Sequence, residues 1–169
     1  MSKLNKLCAY LEKVTIYLIS GIGLAMMAIM WIHVFARYIF HHSLFWSEEL
    51  LRYALVYLAM LGASILYKRG QHVGVTLFIS KFSQKFQART EFFLNFVFLF
   101  ISSIVFYQGV ELCWFVKDAP TPALRISQSI PYLAIVAGFL LMLIYSLART
   151  VYLIHNNREG NENVKKERE

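Results

Sequence analysis

Residues Val14–Ala36 read VTIYLISGIGLAMMAIMWIHVFA, 23 positions without Asp, Glu, Lys or Arg. At ~1.5 Å per residue a helix of this length reaches about 34 Å, enough for a hydrocarbon core of roughly 30 Å. A secretory signal is the competing reading. Its apolar stretch is shorter and ends in a small-residue cleavage site. No A-x-A-like site follows Ala36, so the run reads as a retained membrane helix.

Three more runs repeat the pattern. Residues 126–148 are 23 uncharged positions, with Pro131 early in the run, where a missing N–H does least harm. Residues 92–110 are 19 uncharged positions and extend to Val116 if Glu111 is carried near the end. The fourth, Tyr53–Tyr67, has only 15 residues between Arg52 and Lys68, about 22 Å and too short to cross. That helix therefore has to begin earlier, near Ser47, and bring Glu48, Glu49 and Arg52 into the interface. Ser47 suits an N-cap, and two acids suit the first turn. Glu48 and Arg52 are four apart and can pair along one face.

Composition agrees with a membrane protein. Apolar residues make up 58% of the 169 and charged residues 16%, against roughly 45–50% and about 25% in soluble domains. The net charge of +7 does not point to nucleic acid, because the basic residues flank apolar runs as topology signals do. Cys8 and Cys113 form no C-x-x-C pair or framework, so neither disulfide nor zinc logic applies.

Lys and Arg outside the runs set the orientation. Thirteen fall in the N-terminal segment, the central loop and the C-terminal tail; four, Arg37, Arg52, Lys117 and Arg125, fall on the other side. Both termini and the central loop are therefore expected in the cytoplasm. The expected architecture is an all-α membrane domain over residues 1–155. It has four transmembrane helices (about 14–36, 47–67, 92–116 and 126–148), followed by a polar cytoplasmic tail over 156–169 that composition leaves disordered. In the central loop Phe78, Phe82 and Phe86 recur every four residues, as do Lys81, Lys85 and Arg89 on another face. This predicts an amphipathic helix over about 73–89 lying in the lipid interface. Packing of that helix on its own bundle or on a partner is the alternative.

Chemistry is sparse. A transmembrane haem needs facing histidines at matching depth, but only His33 of the five lies within a run. No Ser/His pair sits at plausible depth for proteolysis, and no glycine-rich phosphate loop occurs. Catalytic, cofactor and metal sites are accordingly expected to be none. Ionisable groups at mid-membrane usually mark an ion or substrate path, and the central thirds of these runs carry none. Gly21/Ala25, Ala59/Ala63 and Ala134/Gly138 are spaced four apart, the interval that lets membrane helices approach.

The segment FWSEELLRYALVYLAMLGA, Phe45–Ala63, is the most distinctive in the chain. It resembles the signature of the small membrane subunit of tripartite ATP-independent periplasmic (TRAP) transporters, the DctQ-type family. Arg37-Tyr38 at the end of the first helix, Gly70-x-His72-Val73 after the second and Thr121-Pro-Ala-Leu124 before the fourth agree in order. The likeness covers about residues 10–155. It departs at Thr76, where the pattern has an acid.

The resemblance implies a non-catalytic subunit of a sodium-coupled importer of an organic acid in the bacterial inner membrane. A periplasmic substrate-binding protein would capture the substrate. A large membrane subunit would hold the sodium and substrate sites. The small subunit would scaffold the large one and help dock the binding protein. Sialic acid is the implied substrate, with C4-dicarboxylates next. A standalone oligomeric carrier or channel, and a haem-anchoring subunit, are the alternatives from other classes.

On this reading Arg37, Glu48, Glu49, Arg52 and Glu111 form a charge cluster at the periplasmic end, locking helices or meeting a partner, with Trp46 as interface anchor. The docking loops are Arg37–Phe45 and Lys117–Ser129, with Lys117, Asp118 and Arg125 as contact candidates.

Overall fold

The computed structural model describes residues 2–39, 41, 44–69 and 84–166. These form four helices: α1 Ser2–Ile39, α2 Phe45–Lys68, α3 Gln84–Phe115 and α4 Ser129–Lys166. Each contains a stretch long and apolar enough to cross a bilayer: Lys6–Ile39, Phe45–Lys68, Phe92–Phe115 and Ser129–Val151. Among the described residues there is no strand, and the only β-type pairing is an isolated antiparallel bridge between Pro120 and Ser127.

The helices overrun the uncharged stretches that announce them. α2 begins at Phe45, after Leu44 in an extended conformation with no side-chain cap. Ser47 is therefore not the N-cap that its residue type suggested. It lies inside the first turn, and its hydroxyl donates back to the Leu44 carbonyl at 2.7 Å. At 24 residues α2 is about 36 Å long, so the charged first turn supplies the length the apolar run lacks. α3 starts at Gln84, with neither Gly nor Pro before Phe92 to stop it. Lys85, Phe86 and Arg89 thus lie in its opening turns. Phe78, Lys81 and Phe82 lie outside the described residues.

α4 begins at Ser129, not Ile126, because the residues before it are held in a hairpin. It runs to Lys166, so the segment from Asn156 is helical rather than disordered. Extending a helix that already has a nucleus fixes one residue per hydrogen bond and avoids the cost of starting one. Pro131 is the third helical residue of α4, where its N–H would have no intrahelical partner.

α4 is the central helix. It packs along α3 and α2, while α1 leans on α2 and touches α4 lightly. Only 6% of the α1 span is buried, against 28% for α4, so α1 is peripheral. Around a core of Leu61, Ile65, Tyr67, Met142 and Tyr145, the positions with least exposure are small and hydroxyl residues. Ser47, Ser64, Ser102, Ala134 and Ser146 have no exposed surface. Lipid tails are as apolar as Leu, so helices in a bilayer associate through close packing rather than hydrophobic burial. Gly138 shows how close: a Cβ there would sit 2.9 Å from Met60 Cβ and 3.1 Å from the Met60 carbonyl oxygen. Of the small-residue pairs, Ala134/Gly138 is buried between helices, whereas Gly21/Ala25 faces outward.

A polar layer ties the Lys-rich end. Glu12 of α1 receives Lys68 Nζ at 2.7 Å and Arg69 Nε at 2.9 Å, and Lys68 also donates to the Cys8 carbonyl at 2.6 Å. Deeper in, the Tyr67 hydroxyl donates to Asn95 Oδ1 at 2.6 Å, Asn95 Nδ2 donates to Thr150 Oγ1 at 2.6 Å, and Ser146 Oγ donates to Asn95 Oδ1 at 3.2 Å. Buried Asn95 thereby joins α2, α3 and α4, and Tyr67 stacks on Phe98 with centroids 4.1 Å apart.

Candidate functional site

The opposite end is organised by the first turn of α2. Ser47 gives its single proton to Leu44, so the 2.6 Å contact between Ser47 Oγ and His33 Nδ1 requires the imidazole to donate from Nδ1. His33 Nε2 then faces Glu48 Oε1 at 3.9 Å, with the Glu48 side chain 59% exposed. The His33–Ser47 bond ties α1 to α2. Glu48 therefore turns toward His33 of α1, and it makes no ion pair with Arg52 among the described residues.

Glu49 points the other way, into the protein. It is buried, and its Oε2 accepts the backbone N–H groups of Ala123 at 2.6 Å and Leu124 at 3.0 Å. The Tyr53 hydroxyl, one helical turn along, donates to Oε1. Two N–H donors on one carboxylate oxygen form a charge-assisted clamp, each bond worth about 1.5–3 kcal/mol. The Trp-Ser-Glu-Glu and Thr-Pro-Ala-Leu segments, more than 70 residues apart in the chain, thus meet as carboxylate and backbone cradle.

The gripped loop carries its own fastenings. Thr121 N–H donates to the Ile126 carbonyl at 2.8 Å, and Gln128 N–H to the Ala119 carbonyl at 3.0 Å. Ser127 Oγ donates to the Lys117 carbonyl at 2.6 Å, and the Ser129 hydroxyl donates to the Cys113 carbonyl. Arg125 sits at φ 53°, a left-handed conformation uncommon outside glycine. The tight return between Thr121 and Ile126 holds it there. Tyr57 adds a bond from α2 to the Ile130 carbonyl at 2.6 Å. The loop is a fixed shelf at one end of the bundle, with Lys117, Asp118, Pro122, Ala123 and Arg125 exposed on it.

Of the residues singled out from sequence, the fold brings Glu48 and Glu49 into these contacts. It leaves Arg37, Arg52 and Glu111 exposed and without an ion pair among the described residues. Arg52 borders an open groove between α1 and α2 that is otherwise lined by Met26, Met27, Met30, Trp31, Leu51 and Leu55, among others. Trp46 is 42% exposed in the first turn of α2, and Lys117 lies over the Trp114 ring at 4.0 Å. In the loop Arg37–Phe45, residues 40, 42 and 43 lie outside the described residues. His33, Tyr53, Thr121 and Asn95 escaped the sequence reading as site residues. The signal for His33 was there: it is the one histidine within an apolar run, at the same depth as Ser47. Among the described residues no three His, Cys, Asp or Glu side chains converge as a metal site would need.

Four helices with polar clasps at both ends, and no Asp, Glu, Lys or Arg in the middle thirds of their apolar spans, define a small polytopic membrane protein. Comparison with known proteins gives the lineage. A family model for the DctQ component of tripartite ATP-independent periplasmic transporters matches residues 26–156. A putative TRAP transporter small permease protein of Haemophilus influenzae is 31% identical over 139 residues, covering 78% of this chain and 84% of that protein. The sialic acid TRAP transporter small permease protein SiaQ of Vibrio cholerae is 33% identical over 61 residues, covering 36% and 35% of the two chains. The sialic acid TRAP transporter permease protein SiaT of Haemophilus influenzae is 30% identical over 97 residues, covering 54% of this chain and 16% of SiaT. The chain belongs to the DctQ family: it is a small permease subunit of a TRAP transporter, a multi-pass protein of the bacterial inner membrane and not an enzyme.

Proposed function

We propose that this subunit is the static scaffold of a sodium-coupled TRAP importer. In this reading it holds a large transport subunit in place and presents a periplasmic shelf on which the substrate-binding protein docks. Its Trp-Ser-Glu-Glu end faces the periplasm, with both termini in the cytoplasm where the thirteen Lys and Arg are counted. The observation that carries the reading is the placement of ionisable groups: His33, Glu48, Glu49 and Arg52 lie toward one end of the spans and Glu12 and Lys68 toward the other. A chain that moved an ion itself would need some of them at mid-depth. Sodium and substrate are therefore held by the large subunit, and none is bound here. The Glu49 clamp supports docking, because a preorganised loop loses little freedom when a partner binds. The substrate is an organic acid, with sialic acid favoured by the names of SiaQ and SiaT over a C4-dicarboxylate.

Reconstitution tests the proposal. Purified with its large subunit and binding protein, the chain is expected to support sodium-dependent uptake of the acid into liposomes, and omission of this chain to abolish it. Robust uptake by this chain alone would overturn the scaffold reading.

A further inference from the structure

The outward face of α3 carries a cluster of polar side chains along its last turns. Successive helical residues turn by about 100°, so Ser103, Tyr107, Glu111 and Trp114 fall within roughly 80° of one another, with Gln108 about 60° further round. All five are exposed, Tyr107 at 70%. The opposite side of the same helix is the one packed on α4: Asn95 and Ser102 are buried, a Cβ on Gly109 would sit 3.2 Å from Val136, and Cys113 and Ser129 are hydrogen-bonded. Elsewhere large apolar residues dominate the outward surface of α1 and α4, while on α2 the charged Arg52 is exposed at the edge of a Met- and Leu-lined groove. α1 shows Leu24, Met27, Met30 and Trp31, and α4 shows Leu133, Leu140 and Leu147.

Lipid is a poor covering for this face. Gln108 lies seven residues and Tyr107 eight residues before the end of α3 at Phe115, about 10–12 Å along the helix. A carboxamide in hydrocarbon without a hydrogen-bond partner costs several kcal/mol. Neither Gln108 nor Glu111 has a hydrogen-bond or ion-pair partner among the described residues. A second copy of this chain fits poorly as well. Two copies in the same membrane orientation would meet about a two-fold axis and set Glu111 opposite Glu111 at equal depth. The occupant that fits is a different transmembrane helix bringing donors.

We propose that the α3 face carrying Tyr107, Gln108 and Glu111 is the seat of a transmembrane helix of the large subunit, one that places a basic, amide or hydroxyl side chain opposite Gln108 and Glu111. The inference rests on the assembly with a large membrane subunit proposed above and adds the surface at which it occurs.

Photocrosslinking in membranes containing the whole transporter tests it. A benzophenone amino acid is placed in turn at positions 104, 107 and 111 of α3 and, for comparison, at 24 and 27 of α1 and 140 of α4. The α3 positions are expected to give an adduct that mass spectrometry identifies as the large subunit, while the α1 and α4 positions give lipid adducts. Q108L combined with E111Q is expected to lower the large subunit recovered with this chain by roughly three- to thirtyfold, the range of one or two interhelical hydrogen bonds. Three results would overturn the assignment: large-subunit adducts from α1 or α4 but not α3, adducts from α3 to a second copy of this chain, or full recovery with the double variant. Absence of a large-subunit adduct from every position, together with failure to co-purify the unsubstituted chain, would instead overturn the assembly itself.

Discussion

At the scale of single residues, Glu49 bears the most. Its carboxylate accepts two backbone N–H groups and a phenol, so E49A strands the Ala123 and Leu124 N–H groups, which have no other acceptor among the described residues. The expected cost is about 2–4 kcal/mol, from the loss of charge-assisted bonds at a buried site. It would appear as a fall of several degrees in the thermal unfolding midpoint in detergent. E49Q keeps the shape and one neutral acceptor and should fall between E49A and the unsubstituted chain. Equal midpoints for all three would show that the loop holds itself without the clamp. From sequence alone, two adjacent acids in a first turn suggested service to the helix dipole. Nothing local tells that Glu48 faces α1 and Glu49 a loop more than 70 residues away.

Two glycines test packing at the scale of elements. A methyl group on Gly138 would strike Met60 Cβ and backbone at 2.9–3.2 Å, neither of which can yield without moving α2. G138A is expected to destabilise the α2–α4 contact by about 1–3 kcal/mol, the usual range for overpacking. On Gly109 the nearest atom is the end of the Val136 side chain at 3.2 Å, which can rotate, so G109A is expected to stay within about 1 kcal/mol. Midpoints of the two variants in the same detergent make the comparison, and equal losses would argue against the drawn crossing. At the other end N95L removes the hub joining Tyr67, Ser146 and Thr150. Interhelical bonds in membranes average about 0.6 kcal/mol, with a maximum near 1.7, so a loss of roughly 1–2 kcal/mol is expected from these bonds together. The apolar periods announced all four helices. Their lengths were less legible, because charged turns extend all four helices past the uncharged runs, and a buttoned loop delays the start of α4 by three residues.

For the whole molecule the decisive property is which end faces the periplasm. In a background with C8S and C113S, D118C should react with a membrane-impermeant maleimide in intact cells whose outer membrane admits the reagent. K13C should react only after the inner membrane is opened. The reverse pattern would invert the topology and move the loop shelf away from any periplasmic partner. The same labelling on the assembled transporter asks whether the binding protein shields position 118, which docking on the shelf requires.

The number of crossings, the need for a charged start to α2 and the lack of a polar path at mid-span were all set by the order of residues. Each is a property of a run: length times rise against bilayer thickness, or the presence of charge within a window. The family likeness was legible for a related reason, since its segments recur in fixed order along the chain. Tertiary structure alone decided that α4 is central, that Trp-Ser-Glu-Glu grips Thr-Pro-Ala-Leu, and that α3 turns Tyr107, Gln108 and Glu111 outward. Those outcomes depend on which faces meet across distant segments. In a bilayer that choice is made by close approach of small residues and by pairing of polar ones, neither of which any single helix contains.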